Sequence, residues 1–140
     1  MSQPSLNTEG PKNYHVPVIY GIGIDVVHIG RLRAVTEKWG RTFLDRVFTE
    51  RELAYCFGKK NPYPSLSVRF AAKEAFKKAI GAEVPVSLRD IEVEVSDGGK
   101  PSLVFGGRIR QFLDSHNITA THVSLTHDHD YGVASVVVER

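Results

Sequence analysis

The first stretch of dense hydrophobic residues, Val18–Ile29, predicts a β-strand because it is rich in Val and Ile. Side chains alternate between the two faces of a strand. One face carries apolar side chains that we expect to lie in the core: Val18, Tyr20, Ile22, Ile24 and Val26. On the other face, Gly21 and Gly23 precede Asp25 and leave the backbone beside its carboxylate bare. This face is therefore open to a ligand that meets Asp25. The alternative is that the glycines mark a β-bulge or a closely packed helix, and that Asp25 caps the next helix.

Helical patterns fill the middle of the chain. Arg31–Trp39 is expected to form a helix that ends at Gly40. Thr49 and Glu52 match a capping box, which predicts the start of a second helix. The most regular pattern is Leu66–Ile80, which predicts a third helix. Its apolar residues recur at helical spacing: Val68, Ala72, Ala75, Phe76, Ala79 and Ile80.

Strand patterns return in the C-terminal half. The expected elements are two paired strands, a short helix and two further strands: Ile91–Val95, Ser102–Phe105, Arg108–His116, Thr121–Thr126 and Tyr131–Val138. This order predicts a single α+β domain with a mostly antiparallel sheet packed with helices. Residues 1–16 are polar and rich in Pro, Asn, Gly and Ser, so they predict a disordered lead-in before a domain that spans residues 17–140.

Composition narrows the class of protein. Hydrophobic residues make up 41% and charged residues 24% of the 140 residues, which is typical of a soluble globular domain. The net charge of +2 and the lack of aromatic residues among the basic ones argue against nucleic-acid binding. No apolar run is long enough for a membrane span, no signal peptide is seen, and the single cysteine, Cys56, makes no intrachain disulfide. A cytoplasmic location is therefore expected.

The predicted helix Leu66–Ile80 also carries candidate chemistry. Glu74 lies beside a row of basic residues spaced four apart: Arg69, Lys73 and Lys77. A carboxylate next to lysines suits a cation that is held together with an anionic ligand. The alternative is a solvated face on which Glu74 pairs with Lys78 one turn later.

Three segments together resemble the motifs of the holo-acyl-carrier-protein synthases, which are small 4′-phosphopantetheinyl transferases. They read Gly-Ile-Gly-Ile-Asp-Val-Val over 21–27, Arg-Phe-Ala-Ala-Lys-Glu-Ala-Phe over 69–76, and His-Val-Ser-Leu-Thr-His over 122–127. The residues at 48–53, 90–93 and 99–101 also fit the family's intermediate segments. The resemblance covers residues 18–139 and implies the 4′-phosphopantetheinyl transferase fold.

The resemblance implies a reaction as well as a fold. In this family, phosphopantetheine passes from coenzyme A, the co-substrate, to a serine of an apo acyl carrier protein, and 3′,5′-ADP leaves. Asp25 and Glu74 match the positions that hold Mg²⁺, a cation commonly bound by one or two carboxylates plus phosphates. Lys73 and Lys77 are the expected phosphate contacts, with Lys73 counted among the catalytic residues. The proton acceptor for the serine is either Glu74 or a metal-bound water.

The family's assembly has consequences for the remaining motif. Members of the family are trimers with each active site in the cleft between two subunits. The resemblance therefore implies that Asp25 and Glu74 come from one chain, and that the His122–His127 segment comes from the next. Within that segment, His122, Thr126 and His127 are expected to contact coenzyme A.

Basic residues between positions 31 and 46 suggest where a carrier protein docks. Acyl carrier proteins are small, acidic and helical, so Arg31, Lys38 and Arg41 are expected to bind one by charge complementarity. The alternative is an ordinary solvated basic helix.

Two positions depart from the family pattern. His28 stands where a glutamate is usual just after the metal aspartate, which weakens any case for a third carboxylate there. Val68 stands where glycine is frequent before the Arg-Phe pair, so contacts of that helix turn are expected to differ.

Two other functions compete with the transferase hypothesis. The first is a small hydrolase or metal-binding module with a transition-metal site at His122, His127, His129 and Asp130, whose side chains suit such ions. Their spacing, however, matches no standard zinc pattern. The second is a non-catalytic module that binds a nucleotide or an acidic protein through residues 31–46.

Overall fold

The computed structural model describes residues 15–81 and 84–140. Within these residues the chain forms five strands and five α-helices, in the order β1 (Ile19–His28), α1 (Ile29–Trp39), α2 (Arg41–Val47), α3 (Glu50–Phe57), α4 (Tyr63–Ile80), β2 (Ile91–Val95), β3 (Pro101–Phe105), α5 (Gly107–Ser115), β4 (Ala120–Asp128) and β5 (Tyr131–Glu139). Every predicted strand and helix is present, and α2 is an additional helix. The predicted lead-in lies mostly outside the described residues.

The strands form two antiparallel units. A three-stranded sheet has the order β1-β5-β4, with Asp25 opposite Ala134 and Thr126 opposite Val133. Strands β2 and β3 form a separate hairpin. The predicted α+β class with a mostly antiparallel sheet is confirmed.

Local signals explain where the helices begin and end. Thr49 Oγ1 accepts a hydrogen bond from the Glu52 amide at 3.2 Å, and Glu52 Oε1 accepts one from the Thr49 amide at 3.0 Å. This is the capping box expected from the sequence, and it opens α3. Helix α1 ends at Gly40, as predicted. Helix α4 begins at Tyr63, three residues before its predicted start, with Pro64 in its first turn, where proline is tolerated.

Helix α4 packs directly on the glycine face of β1. A Cβ atom on Gly21 would lie 1.8 Å from the Ala79 carbonyl oxygen, and one on Gly23 would lie 1.8 Å from the Ala75 carbonyl oxygen. No side chain fits at that distance, so glycine is required at both positions. Of the possibilities left open by the sequence, close helix packing is the one observed at both glycines, and a shift in strand register also occurs between Ile19 and Gly21.

The other face of β1 was predicted to lie in the core, and that prediction is wrong for the isolated chain. Ile22, Ile24 and Val26 are 62%, 59% and 58% exposed. The reason is that α4 covers only the glycine face of the sheet. Tyr20 is the exception, because its ring packs edge-on against Phe112.

The described residues form two hydrophobic clusters, and α4 contributes to both. One joins α4 to the sheet and the β2–β3 hairpin through Phe76, Ile91 and Val136. The other joins α4 to α1, α2 and α3, and it contains the fully buried Cys56. Burial raises the pKa of the Cys56 thiol, because the charged thiolate is disfavoured in this apolar cluster. In the described residues, no helix is long and apolar enough to cross a membrane.

Candidate active site

Asp25 lies near the end of β1, at the point where the strand passes over α4. Its side chain is 17% exposed, and its Oδ1 accepts a hydrogen bond from Lys78 Nζ at 2.9 Å. The same ammonium donates to the carbonyl oxygen of Ile24 at 3.0 Å. A lysine of α4 therefore holds the strand carboxylate in place.

Glu74 lies on α4 between two open cavities. The first, of about 430 Å³, is lined by Asp25, Glu74, His28 and Arg31 among others. The second, of about 460 Å³, is lined by Glu74, Lys77 and Lys78 together with residues just after the helix. One cavity therefore leads from Glu74 toward α1, and the other leads toward two lysines.

The side chains around Asp25 and Glu74 fit the requirements of Mg²⁺. This ion prefers oxygen ligands and is held in many enzymes by one or two carboxylates plus substrate phosphates. Both carboxylates line the same cavity, and each one has an ammonium group near it, Lys78 for Asp25 and Lys77 for Glu74. Both carboxylates form ion pairs with these lysines in the single chain, so the feature that fits Mg²⁺ is the presence of two carboxylates on one cavity.

The transition-metal alternative has no support in the geometry. Among residues 15–81 and 84–140, no three His, Cys, Asp or Glu side chains are arranged to hold a metal ion. His129 lies at the turn after β4, and its Nε2 is 3.6 Å from Oδ1 of Asp128, which is not one of the proposed ligands. The histidines of this segment therefore do not converge on one point.

The predicted role of Lys73 as a catalytic phosphate contact disagrees with the structure. Its side chain is 0% exposed, and its Nζ donates to Glu52 Oε1 at 2.6 Å and to the Val47 carbonyl oxygen at 2.6 Å. Arg69 is buried too. The row of basic residues is not a solvent margin, because helices α1–α3 cover that side of α4. Only Lys77 of the row reaches the site, with its Nζ 3.5 Å from Glu74 Oε2.

Lys78 is a site residue that sequence reasoning missed. The sequence predicts only a pairing of Lys78 with Glu74, whereas its ammonium donates to Asp25 Oδ1 at 2.9 Å. Helical geometry contained the signal, because residues four apart share a face and Lys78 follows Glu74 by four. Lys73 precedes Glu74 by one and therefore points about 100° away.

The β4 residues expected to bind coenzyme A lie away from this site in the single chain. Strand β5 separates β4 from β1, so His122 and Thr126 lie across the sheet from Asp25. His122 Nε2 is 2.5 Å from Glu139 Oε1, and both Thr126 and His127 are exposed. Neither cavity beside Glu74 includes these three residues.

Helix α1 approaches the site through its first turn. His28 Nδ1 accepts a hydrogen bond from the Arg31 amide at 3.0 Å and so caps the helix. The structure thus gives His28 a capping role and places it at the wall of the Asp25 cavity. Arg31 lines the same cavity, and Lys38 lies over the ring of the exposed Trp39.

Arg41 differs from the other two predicted docking residues. Its guanidinium lies 2.9 Å from Asp45 Oδ1 and 2.7 Å from Glu50 Oε1. Within the described residues, by contrast, no carboxylate forms an ion pair with Arg31 or Lys38. Arg31 and Lys38 thus have uncompensated charge to offer a partner, and Arg41 has much less.

Comparison with known proteins places this site in a family. Residues 21–135 match the 4′-phosphopantetheinyl transferase superfamily, and the chain belongs to this family. The predicted resemblance and the assignment as a transferase are both confirmed.

Similar proteins cover nearly the whole chain. The holo-[acyl-carrier-protein] synthase of Halothermothrix orenii is 40% identical over 123 residues, which are 87% of this chain and 98% of that protein. The crystal structure of the synthase from Neisseria meningitidis superposes with a TM-score of 0.81 at 34% identity, over 88% of this chain and 100% of that one. The synthase from Bacillus anthracis, solved in complex with CoA (3′,5′-ADP), gives a TM-score of 0.71 at 35% identity, over 86% and 96% of the two chains.

Proposed function

We propose that this protein transfers the 4′-phosphopantetheine group of coenzyme A to a serine of an apo acyl carrier protein. The observation that carries the proposal is the position of Glu74 between a cavity that leads to a basic helix and a cavity lined by two lysines. The first cavity suits the incoming serine, and the second suits the pyrophosphate. Membership of the phosphopantetheinyl transferase superfamily and the names of the relatives support this assignment.

The residues of the site divide the chemistry between them. Lys77 and Lys78 bind the pyrophosphate oxygens and offset the charge that develops on the leaving phosphate. Glu74 takes the proton of the serine hydroxyl as the serine oxygen bonds to the phosphorus that carries pantetheine. The bond from this phosphorus to the bridging oxygen breaks, and 3′,5′-ADP leaves with the electron pair.

Asp25 and Glu74 are the residues that would hold Mg²⁺. When bound, the ion would neutralise phosphate charge and orient the pyrophosphate. The proposal of a magnesium-dependent enzyme rests on these two carboxylates, which line one cavity.

Helix α1 is the proposed docking surface for the carrier protein. Arg31 and Lys38 have no competing carboxylates among the described residues, so an acidic helix can pair with them. Arg31 also lines the cavity of Asp25 and Glu74, which places the docked serine near the reacting groups. Arg41 is a weaker candidate because Asp45 and Glu50 already neutralise it.

A homotrimer with shared sites is the proposed assembly. Ile22, Ile24 and Val26 expose an apolar row on β1, and the neighbouring β5 adds Val133 and Val137 to the same face. A second copy packed on this face would bury the row. It would also bring its own His122, Thr126 and His127 to the edge of the cleft, where the single chain has no equivalent residues.

The expected cytoplasmic location stays a prediction.

A mass measurement tests the function. The protein is mixed with an apo acyl carrier protein, coenzyme A and Mg²⁺, and the mass of the carrier protein is then measured by mass spectrometry. We expect a gain of one phosphopantetheine arm, prevented by EDTA and reduced on the order of 100-fold in Asp25→Asn. Asp114→Asn, which removes an exposed carboxylate on α5, is the matched control and should keep full activity. No gain with several carrier proteins, from a folded enzyme, would refute the proposal.

A further inference from the structure

A buried ion pair lies one residue before Glu74 along α4. The side chains of Lys73 and Glu52 are 0% and 1% exposed, and Lys73 Nζ lies 2.6 Å from Glu52 Oε1. Burial lowers the pKa of the Lys73 ammonium, and the Glu52 carboxylate opposes this shift. Neither charge is available to a substrate, so the pair has no direct part in the transfer reaction.

The pair joins four elements of the fold. Glu52 Oε1 accepts hydrogen bonds from Lys73 and from the Thr49 amide, and Glu52 Oε2 accepts one from the Val93 amide of β2 at 2.9 Å. Lys73 Nζ also donates to the Val47 carbonyl oxygen at the end of α2, where the helix dipole favours a positive charge. One side chain of α4 is thereby tied to α2, α3 and β2 by directional bonds.

Stability alone does not explain such a pair. Removing two charges from water is costly, and apolar residues of similar volume at such positions are often as stable or more so. A directional bond, unlike an apolar contact, specifies the rotation of the helix that carries it.

Helix α4 needs such a constraint where it passes over β1. There Ala75 and Ala79 face Gly21 and Gly23, and these four small residues have no long side chains that could interlock and fix the rotation of the helix. A rotation of about 20° around the helix axis would move a carboxylate roughly 5 Å from the axis by about 2 Å. A shift of about 1 Å in a reacting group can cost about 100-fold in rate. The position of the Glu74 carboxylate therefore depends strongly on the rotation of α4 about its own axis.

We propose that Glu52 and Lys73 are positioning residues, which hold α4 in the rotation at which Glu74 faces the cavity shared with Asp25. This inference rests on the proposed function in one respect, namely that Asp25 and Glu74 hold the metal ion. It predicts that the pair controls metal affinity through the orientation of Glu74.

The test separates positioning from stability. Lys73→Met leaves the buried Glu52 carboxylate without its positively charged partner. Glu52→Met combined with Lys73→Met removes both charges and keeps similar side-chain volumes. Mn²⁺, used as a spectroscopic substitute for Mg²⁺, is titrated by electron paramagnetic resonance in the presence of coenzyme A, and thermal unfolding is measured in parallel. We expect the double variant to unfold within a few degrees of the unaltered protein but to bind Mn²⁺ roughly tenfold more weakly. The single variant should unfold at a clearly lower temperature.

Two further variants keep the result decisive. Leu53→Ala creates a cavity in the hydrophobic cluster between α4 and helices α1–α3 and keeps both charges of the pair. It should lower the unfolding temperature but leave Mn²⁺ affinity unchanged. Glu52→Asp keeps both charges but withdraws the carboxylate by one methylene, so it should weaken Mn²⁺ binding even if the double variant does not fold. Mn²⁺ binding equal to that of the unaltered protein in the double variant, or in Glu52→Asp, would overturn the inference.

The failure of this inference can be told from failure of the proposed function. Absence of phosphopantetheine transfer by the unaltered protein counts against the function alone. The Mn²⁺ titration, with Asp25→Asn as the reference for a lost site, still reports whether the pair controls metal binding.

Discussion

Two glycines allow strand β1 and helix α4 to approach within backbone contact. Gly21 and Gly23 face the carbonyl oxygens of Ala79 and Ala75, and Asp25 follows on the same face of the strand. The distance between strand and helix is therefore set immediately before the candidate metal carboxylate. Packing and chemistry are linked here, because the same approach lets Lys78 of α4 reach Asp25.

Gly23→Ala should disrupt this approach. The added Cβ would lie 1.8 Å from the Ala75 carbonyl oxygen, which is backbone and cannot turn away. We expect the free energy of unfolding to fall by about 3 kcal/mol, as for overpacking of a tight core, with a parallel loss of transfer activity. Urea unfolding measures the change. Gly98→Ala, at a turn with nothing within 4 Å of the added atom, is the control. Equal stability of the two variants would contradict the close packing described above.

The sequence identified some site residues and misjudged others for a physical reason. Asp25 and Glu74 were predicted from motif resemblance, and they share a cavity. Lys73 was expected at a solvent margin because its spacing with Lys77 is that of a helix face. Spacing reports which residues share a face of a helix but not what covers that face, and α4 is covered on two sides.

The same limit of sequence patterns explains why the wrong face of strand β1 was predicted to lie in the core. Alternation along β1 correctly separated the row of Ile22 and Ile24 from the row of Gly21 and Gly23. It did not reveal which row meets the helix. Hydrophobicity favoured the isoleucines, but the backbone contact of α4 requires the small residues. Because α4 covers the glycine face of β1, the larger apolar residues of this strand remain exposed in the single chain.

Helix α1 carries the prediction that concerns docking. Arg31→Glu reverses a charge that has no carboxylate partner in the described residues and that lines the Asp25 cavity. We expect the KM for the acyl carrier protein to rise by about tenfold while the KM for coenzyme A stays unchanged, because only the acidic partner senses this charge. Steady-state transfer assays with each substrate varied in turn measure both constants.

Arg33→Glu is the matched control for this experiment. Arg33 lies two positions further along α1, where its side chain pairs with Glu37 and its guanidinium lies over the ring of Tyr63. Residues two apart do not share a helix face, so this reversal should leave the KM for the carrier protein nearly unchanged. If both reversals raised that KM equally, the effect would be one of net charge, and the docking surface would not be located on the Arg31 face.

At the scale of the whole molecule, the single chain does not account for all of the motif residues. The first two motifs meet at Asp25 and Glu74, whereas His122 and His127 lie beyond β5. The exposed apolar row on β1 lies on the sheet face that α4 leaves uncovered. Both observations are explained together if the sheet faces of several chains pack on one another and the third motif completes a neighbour's site.

Ile24→Lys tests this explanation, because Ile24 lies at the centre of the exposed row. Burying the new ammonium against an apolar face would be unfavourable, so we expect light scattering to report single chains in place of trimers. Circular dichroism should show an intact fold, since Ile24 makes no contribution to the core of the single chain. Transfer activity should fall despite unchanged Asp25 and Glu74, because the cleft would lack the partner's residues. Val104→Lys, at another exposed apolar position on β3, should remain trimeric and active. A monomeric Ile24→Lys protein with full activity would show that each chain holds a complete site, and the shared-cleft assembly would then be wrong.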